Sequence, residues 1–196
     1  MNNVMVDLET MGNGPRAAIV AIGAVEFDPD SGKIGREFYQ EIYLEDSVAN
    51  GGVIDASTVL WWMQQGDVAR AAVCSEDGIN LLPALLQFAQ WLRECGPGVK
   101  VWGNGSPFDN VILRSAYSAL HMDAPWEFWN DRCYRTLKNL RPDTGFARGG
   151  THHNALDDAI TQARHAIAIL SDLYQGGIAP DYPPSTGVVT RLVTRN

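Results

Sequence analysis

Val4-Met5-Val6-Asp7-Leu8-Glu9-Thr10 carries two carboxylates at the end of an apolar run. The run reads as a strand, and alternate residues of a strand share a face. Asp7 and Glu9 then project together from one buried element. Like charges held that close repel, and each tends to keep a proton. A divalent cation between them removes the conflict, and oxygen ligands suit Mg²⁺ or Mn²⁺. An ordinary acidic strand end has the same Asp-x-Glu spacing, so the rest of the chain must decide between the two readings.

Outward from this run, residues 19–27 (IVAIGAVEF) read as a largely buried strand and residues 37–44 as a half-buried alternating one. Gly12-Asn13-Gly14-Pro15 and residues 28–32 supply turns between these strands. Helical patterns follow at 57–65 and at 81–94, the second with Gly96 beyond its end. A short buried strand is expected at 99–103, a helix at 107–120, a short strand near 127–130 and a closing helix at 155–174. Three strands followed by alternating helix and strand indicate an α/β fold, a mixed sheet with helices on its faces. Residues 1–175 read as one domain, and 176–196, first rich in Gly and Pro and then β-prone, as a C-terminal tail or arm.

The totals agree with a globular domain: 196 residues, 45% hydrophobic and 19% charged. No apolar run approaches the ~20 residues that span a bilayer, so no membrane partner is expected. Met1-Asn2-Asn3 lacks the basic region and apolar segment of a signal peptide, and Cys74, Cys95 and Cys133 lack Cys-x-x-Cys spacing. Together these point to free thiols in a reducing cytoplasm. A net charge of −8 argues against a protein that coats nucleic acid. Carboxylates that hold cations weaken that objection, because the bound charge offsets them.

Ser106-Pro107-Phe108-Asp109 resembles a helix start, with Ser106 as N-cap, Pro107 at the first helical position and Asp109 three residues after the cap. Asp109 can therefore serve the helix end. It also follows the strand ending in Val101-Trp102-Gly103-Asn104, and α/β sheets gather ligands at such carboxyl ends. In His152-His153-Asn154-Ala155-Leu156-Asp157-Asp158, Asn154 suits an N-cap and Asp157 is placed three residues later. His153 then precedes a helix and follows the glycines Gly149-Gly150, where an imidazole can approach a substrate and take a proton near neutral pH.

Asp7-Leu8-Glu9-Thr10, the Asn104 to Asp109 segment, and His153 with Asp158 five positions on together resemble the three motifs of the DEDDh branch of the proofreading exonucleases. The resemblance covers about residues 3–175, and all five functional positions are filled. Ala17-Ala18-Ile19-Val20, leading to Ile22-Gly23, and the Trp61-Trp62 pair are similar to small phage and bacterial members described as exoribonuclease-like or exonuclease VIII-like. The resemblance implies a ribonuclease H-like fold, a five-stranded mixed sheet with an antiparallel second strand. It implies 3′–5′ hydrolysis at nucleic-acid ends, release of nucleoside 5′-monophosphates and two divalent ions, Mg²⁺ or Mn²⁺. It assigns Asp7, Glu9, Asp109 and Asp158 to the metals and His153 to the general base.

Thr10 and Met11, directly after the carboxylates, are candidates for contacting the terminal sugar; turn packing is the other reading. Arg132, Arg135, Lys138, Arg141 and Arg148 place five of 15 basic residues within 17 positions. The first four recur every three residues, as a stripe on one helix would, either a solvated face or a border for phosphates. Trp61 and Trp62 are adjacent, so on a helix at most one is expected to be fully buried, leaving the other for base stacking or an interface. Substrate is expected to be RNA or single-stranded 3′ ends. A 3′–5′ exodeoxyribonuclease and an inactive nucleic-acid-binding module are the alternatives. A homodimer is compatible with the relatives and the β-prone tail.

Overall fold

The computed structural model describes residues 1–74, 76–105, 107–145, 149 and 153–175. Along these, β1 (Asn3–Thr10), β2 (Ile19–Asp28) and β3 (Lys33–Glu41) are followed by α1 (Leu44–Ala49), α2 (Ala56–Met63), α3 (Asp67–Val73) and α4 (Leu81–Glu94). Then come β4 (Lys100–Gly103), α5 (Asp109–Ala119), β5 (Asp131–Cys133), α6 (Tyr134–Leu140) and α7 (Ala155–Gln175). The strands form one five-stranded sheet in the order β3-β2-β1-β4-β5. β2 runs antiparallel to both neighbours, and β1, β4 and β5 are mutually parallel.

Alternation along β1 sorts its side chains between two cores. Val4, Val6 and Leu8 pack with Leu85, Phe88 and Leu92 of α4 and with Ile112, Leu113 and Tyr117 of α5. Met5 packs on the other face with Tyr134 and Leu137 of α6 and with Ala159, Ala163 and Ala166 of α7. Asp7 and Glu9 continue the row that Met5 begins, so they emerge on the face that α7 covers. The alanine stripe lets α7 lie close to the sheet. A third cluster joins Met11, Ala18 and Val20 to Trp62 of α2 and to Ala69 and Val73 of α3. Helices therefore cover both faces, as expected.

Several local expectations are corrected. β3 spans Lys33–Glu41 rather than 37–44. The hairpin sets its start, with Lys33 opposite Asp28, and Leu44 opens α1 instead. The strand expected near 127–130 is a 3₁₀ turn, Phe128–Asn130, with Phe128 and Trp129 exposed. Pairing begins one step later, where Asp131 meets Val101 of β4. α5 begins at Asp109, with Pro107 and Phe108 in the turn before it, and Ser106 lies outside the described residues. The basic residues share no single helix: Arg132 is on β5, Arg135 and Lys138 are on α6, and Arg141 ends it. Arg148, Gly150, His152 and the expected tail at 176–196 also lie outside the described residues. Among the described residues no helix is long and apolar enough to cross a membrane.

Candidate active site

Asp7, Glu9 and Asp158 each offer a carboxylate oxygen, and these atoms all lie within 4.8 Å of one another. The β1 pleat supplies the first two. The third comes from the first turn of α7, whose start is set by Asn154: its Oδ1 accepts from the amides of Leu156 and Asp157, both at 3.1 Å. The sheet has to let that turn come close. Gly23 on β2 lies opposite Asp7 in the ladder, and a Cβ on it would stand 2.1 Å from the carbonyl carbon of Ala155. Only a residue without a side chain leaves room there.

Asp109 reaches the same corner from the parallel side of the sheet. Its Oδ2 accepts from the Asn104 amide at 2.8 Å and its Oδ1 from the Leu8 amide at 3.3 Å. The carboxylate thus binds the ends of β4 and β1 together, with the Leu8 amide lying between Asp7 and Glu9 in the chain. His153 immediately precedes Asn154 with a left-handed backbone, φ 61°. Its ring meets Trp61 edge-on at 4.9 Å and Trp62 at 5.9 Å. Trp62 is buried and donates its indole N–H to the carbonyl of Thr10 at 2.9 Å. A chain of contacts therefore runs from the carboxylate strand through Trp62 to the imidazole. Beside it opens a pocket of about 240 Å³ walled by Glu9, Thr10, Asn13, Trp61, Trp62 and Phe108.

Residues 2–170 match the 3′–5′ exoribonuclease Rv2179c-like domain family. The chain belongs to that family. It is a hydrolase, a 3′–5′ exonuclease. An exodeoxyribonuclease of Enterobacteria phage T4 is 26% identical over 161 residues, 69% of this chain and 70% of that protein. The nuclease domain of 3′hExo, a DEDDh family member bound to rAMP, matches with a TM-score of 0.60 at 15% identity, covering 87% of this chain and 92% of that one. E. coli exonuclease I in complex with a dT13 oligonucleotide matches with a TM-score of 0.60 at 16% identity, covering 89% of this chain and 41% of that one. The two structures establish the ribonuclease H-like fold.

The electrostatics of the candidate site are those of crowded anions. Withdrawal from water holds the Asp7 carboxyl well above its ordinary value, with the charges of Asp109, Glu9 and Asp158 adding to it and the Gln162 hydrogen bond opposing. Burial, then Asp158 and Asp109, push Glu9 up to about 8. Burial also raises Asp109, opposed by the amides it accepts from and by the Arg135 charge. Glu9 Oε1 is buried without a hydrogen-bond partner among the described residues. An unpartnered acceptor in a nest of carboxylates suits a cation, and the all-oxygen set fits Mg²⁺ or Mn²⁺.

The remaining expected residues fall into different surroundings. Thr10 walls the pocket, with its hydroxyl donating to Gly12 O at 2.7 Å. Met11 is buried in the third core cluster and its amide donates to Ala18 O. Trp61 is 42% exposed and Trp62 4%. Arg135 is exposed and lies beside Gly105, where a Cβ would be 3.6 Å from its guanidinium carbon. Lys138 sits with its ammonium 5.6 Å from the centre of the Tyr134 ring. Gln162 was not among the expected residues, yet its amide donates to Asp7 Oδ1 at 2.7 Å. Its spacing from Asp158, four residues on the same helix, was the available signal.

Proposed function

We propose that the chain is a metal-dependent exonuclease that removes nucleoside 5′-monophosphates one at a time from the 3′ end of RNA. The meeting of Asp7, Glu9 and Asp158 within 4.8 Å carries this reading. Asp7, Glu9 and Asp158 would hold one divalent ion, with Asp7 and Asp109 toward a second. When bound, such ions orient water, neutralise phosphoryl oxygens and stabilise the leaving oxygen.

The chain's own residues do the rest. His153, held by the two indoles, takes the proton of the attacking water. Trp61 offers an exposed ring to the terminal base, and Thr10 offers its hydroxyl oxygen to the terminal sugar. Met11 serves by packing, since its side chain is in the core. Arg135 stands where it can meet a phosphate next to Asp109, and Lys138 is placed further along α6.

A time course on matched RNA and DNA strands labelled at either end, with Mg²⁺, Mn²⁺ or chelator, tests the proposal. Mononucleotide release from the 3′ end of RNA, abolished by chelator, is expected. Release from the 5′ end, or activity in chelator, overturns it. Faster loss of DNA supports a 3′–5′ exodeoxyribonuclease, the reading favoured by the likeness to the phage T4 enzyme.

A further inference from the structure

We propose that Gln162 is a positioning residue for cation binding, fixing the orientation of the Asp7 carboxylate through its side-chain amide. This rests on the reading of Asp7 as a metal ligand. Gln162 is 7% exposed and lies one turn beyond Asp158 on α7. Its Nε2 donates to Asp7 Oδ1 at 2.7 Å, a short hydrogen bond of the charge-assisted kind. One oxygen of Asp7 is thereby occupied, and rotation of the carboxylate about its last bond is restrained.

The other end of the amide separates this role from simple packing. Gln162 Oε1 is buried and has no hydrogen-bond partner among the described residues. A buried carbonyl left unsatisfied costs free energy that a core normally avoids. The neighbours of Gln162 on the sheet-facing side of α7 are Ala159, Ala163 and Ala166, all fully buried. An apolar residue of the same length would suit that surface better. Stability therefore does not account for an amide here, whereas the donor on Asp7 does. Ligand-orienting hydrogen bonds of this sort typically change metal affinity or activity by about 10–100-fold when removed.

Gln162 also links two ligands that come from distant parts of the chain. Asp158 is on its own helix, and Asp7 is on β1, 155 positions away. The hydrogen bond thus sets the distance between a strand carboxylate and a helix carboxylate. Without it, Asp7 is free to turn away from its neighbours and relieve their repulsion.

The test compares wild type with Gln162→Leu and Gln162→Met, two apolar replacements of similar size. Calorimetric titration with Mn²⁺ alone reads metal affinity, thermal melting in chelator reads stability, and steady-state kinetics on an RNA oligonucleotide separate kcat from KM. The expected result is a Mn²⁺ affinity about tenfold weaker in both variants and a kcat at least tenfold lower. KM should stay within about threefold, and the metal-free melting temperature should be no lower than that of wild type. Unchanged Mn²⁺ affinity in a folded variant overturns the proposal, whatever happens to kcat. If wild type binds Mn²⁺ but does not hydrolyse RNA or DNA, the proposed function falls while the titration still decides the role of Gln162.

Discussion

Asp7 and Gly23 face one another across the β1–β2 ladder, and the bare backbone of Gly23 is what lets the first turn of α7 settle over the carboxylates. The candidate site depends on that close approach, because α7 brings Asp158 and His153 lies just before it. Gly23→Ala places a methyl group against the Ala155–Leu156 backbone, where neither side can move without shifting a strand or a helix. Such overpacking costs about 1–3 kcal/mol. Urea denaturation should show that loss. Turnover should fall further than stability alone explains, since the helix carries Asp158, one of the proposed metal ligands. A variant with wild-type turnover would show that α7 does not set the site.

Glu9 gives the pH dependence. Its native carboxyl is pushed up to about 8 from an ordinary 4.5. The folded protein then holds this proton more tightly than the unfolded chain does. The stability it contributes is whole below about pH 4.5 and is lost as pH rises through about 8. Asp7 and Asp109 are displaced in the same direction. The metal-free protein should therefore lose stability as pH rises from about 4.5 to about 8. Glu9→Gln should recover roughly 2–5 kcal/mol of it at the alkaline end. Chemical denaturation of both proteins at several pH values checks this, and saturating Mn²⁺ should flatten the wild-type profile.

His153→Ala removes the proposed base and leaves the carboxylates. Single-turnover rates should fall about 10²–10⁴-fold, with Mn²⁺ titration unchanged within twofold. A variant that turns over normally assigns the proton transfer elsewhere.

The two tryptophans should separate cleanly. Trp61 is partly exposed, so Trp61→Ala should leave the melting temperature nearly unchanged and raise KM, by the worth of a stacked base, about 1–3 kcal/mol. Trp62 is buried and bonded to Thr10. Trp62→Phe should cost about 0.5–1.5 kcal/mol of stability for the lost hydrogen bond and should lower kcat, because His153 loses part of its support. Paired melting and kinetic measurements distinguish these outcomes.

Arg135→Glu should raise KM and flatten its salt dependence, since a phosphate contact releases counterions. Lys138→Glu should do less of both, because the ammonium is engaged with the Tyr134 ring. Equal salt slopes for wild type and Arg135→Glu would remove Arg135 from the substrate path.

Much of the sheet and the carboxylates that meet at its edge were legible in the residues. Period-two alternation marked Asp7 and Glu9 as sharing a face, and Asn154 marked the start of α7, because both signals are local. Boundaries set by partners were not. β3 starts where the hairpin pairs it with β2, and β5 starts where β4 offers a free edge; neither depends on its own hydrophobic pattern. A helix does begin at Asp109, as the Ser106 to Asp109 pattern suggested, but the use of its side chain was not legible. The Asp109 carboxylate turns back to the Leu8 and Asn104 amides, which a local capping pattern does not reveal.

By itself, the order of residues determined which carboxylates share a strand face and which short elements present them, since strand period and helix capping act within a few positions. Only the folded molecule decided how closely those elements meet: that Gly23 admits α7, that Trp62 spans Thr10 and His153, and that Gln162 reaches Asp7. Those contacts join residues up to 155 positions apart, and they arise from packing two faces against one sheet, which no local pattern encodes.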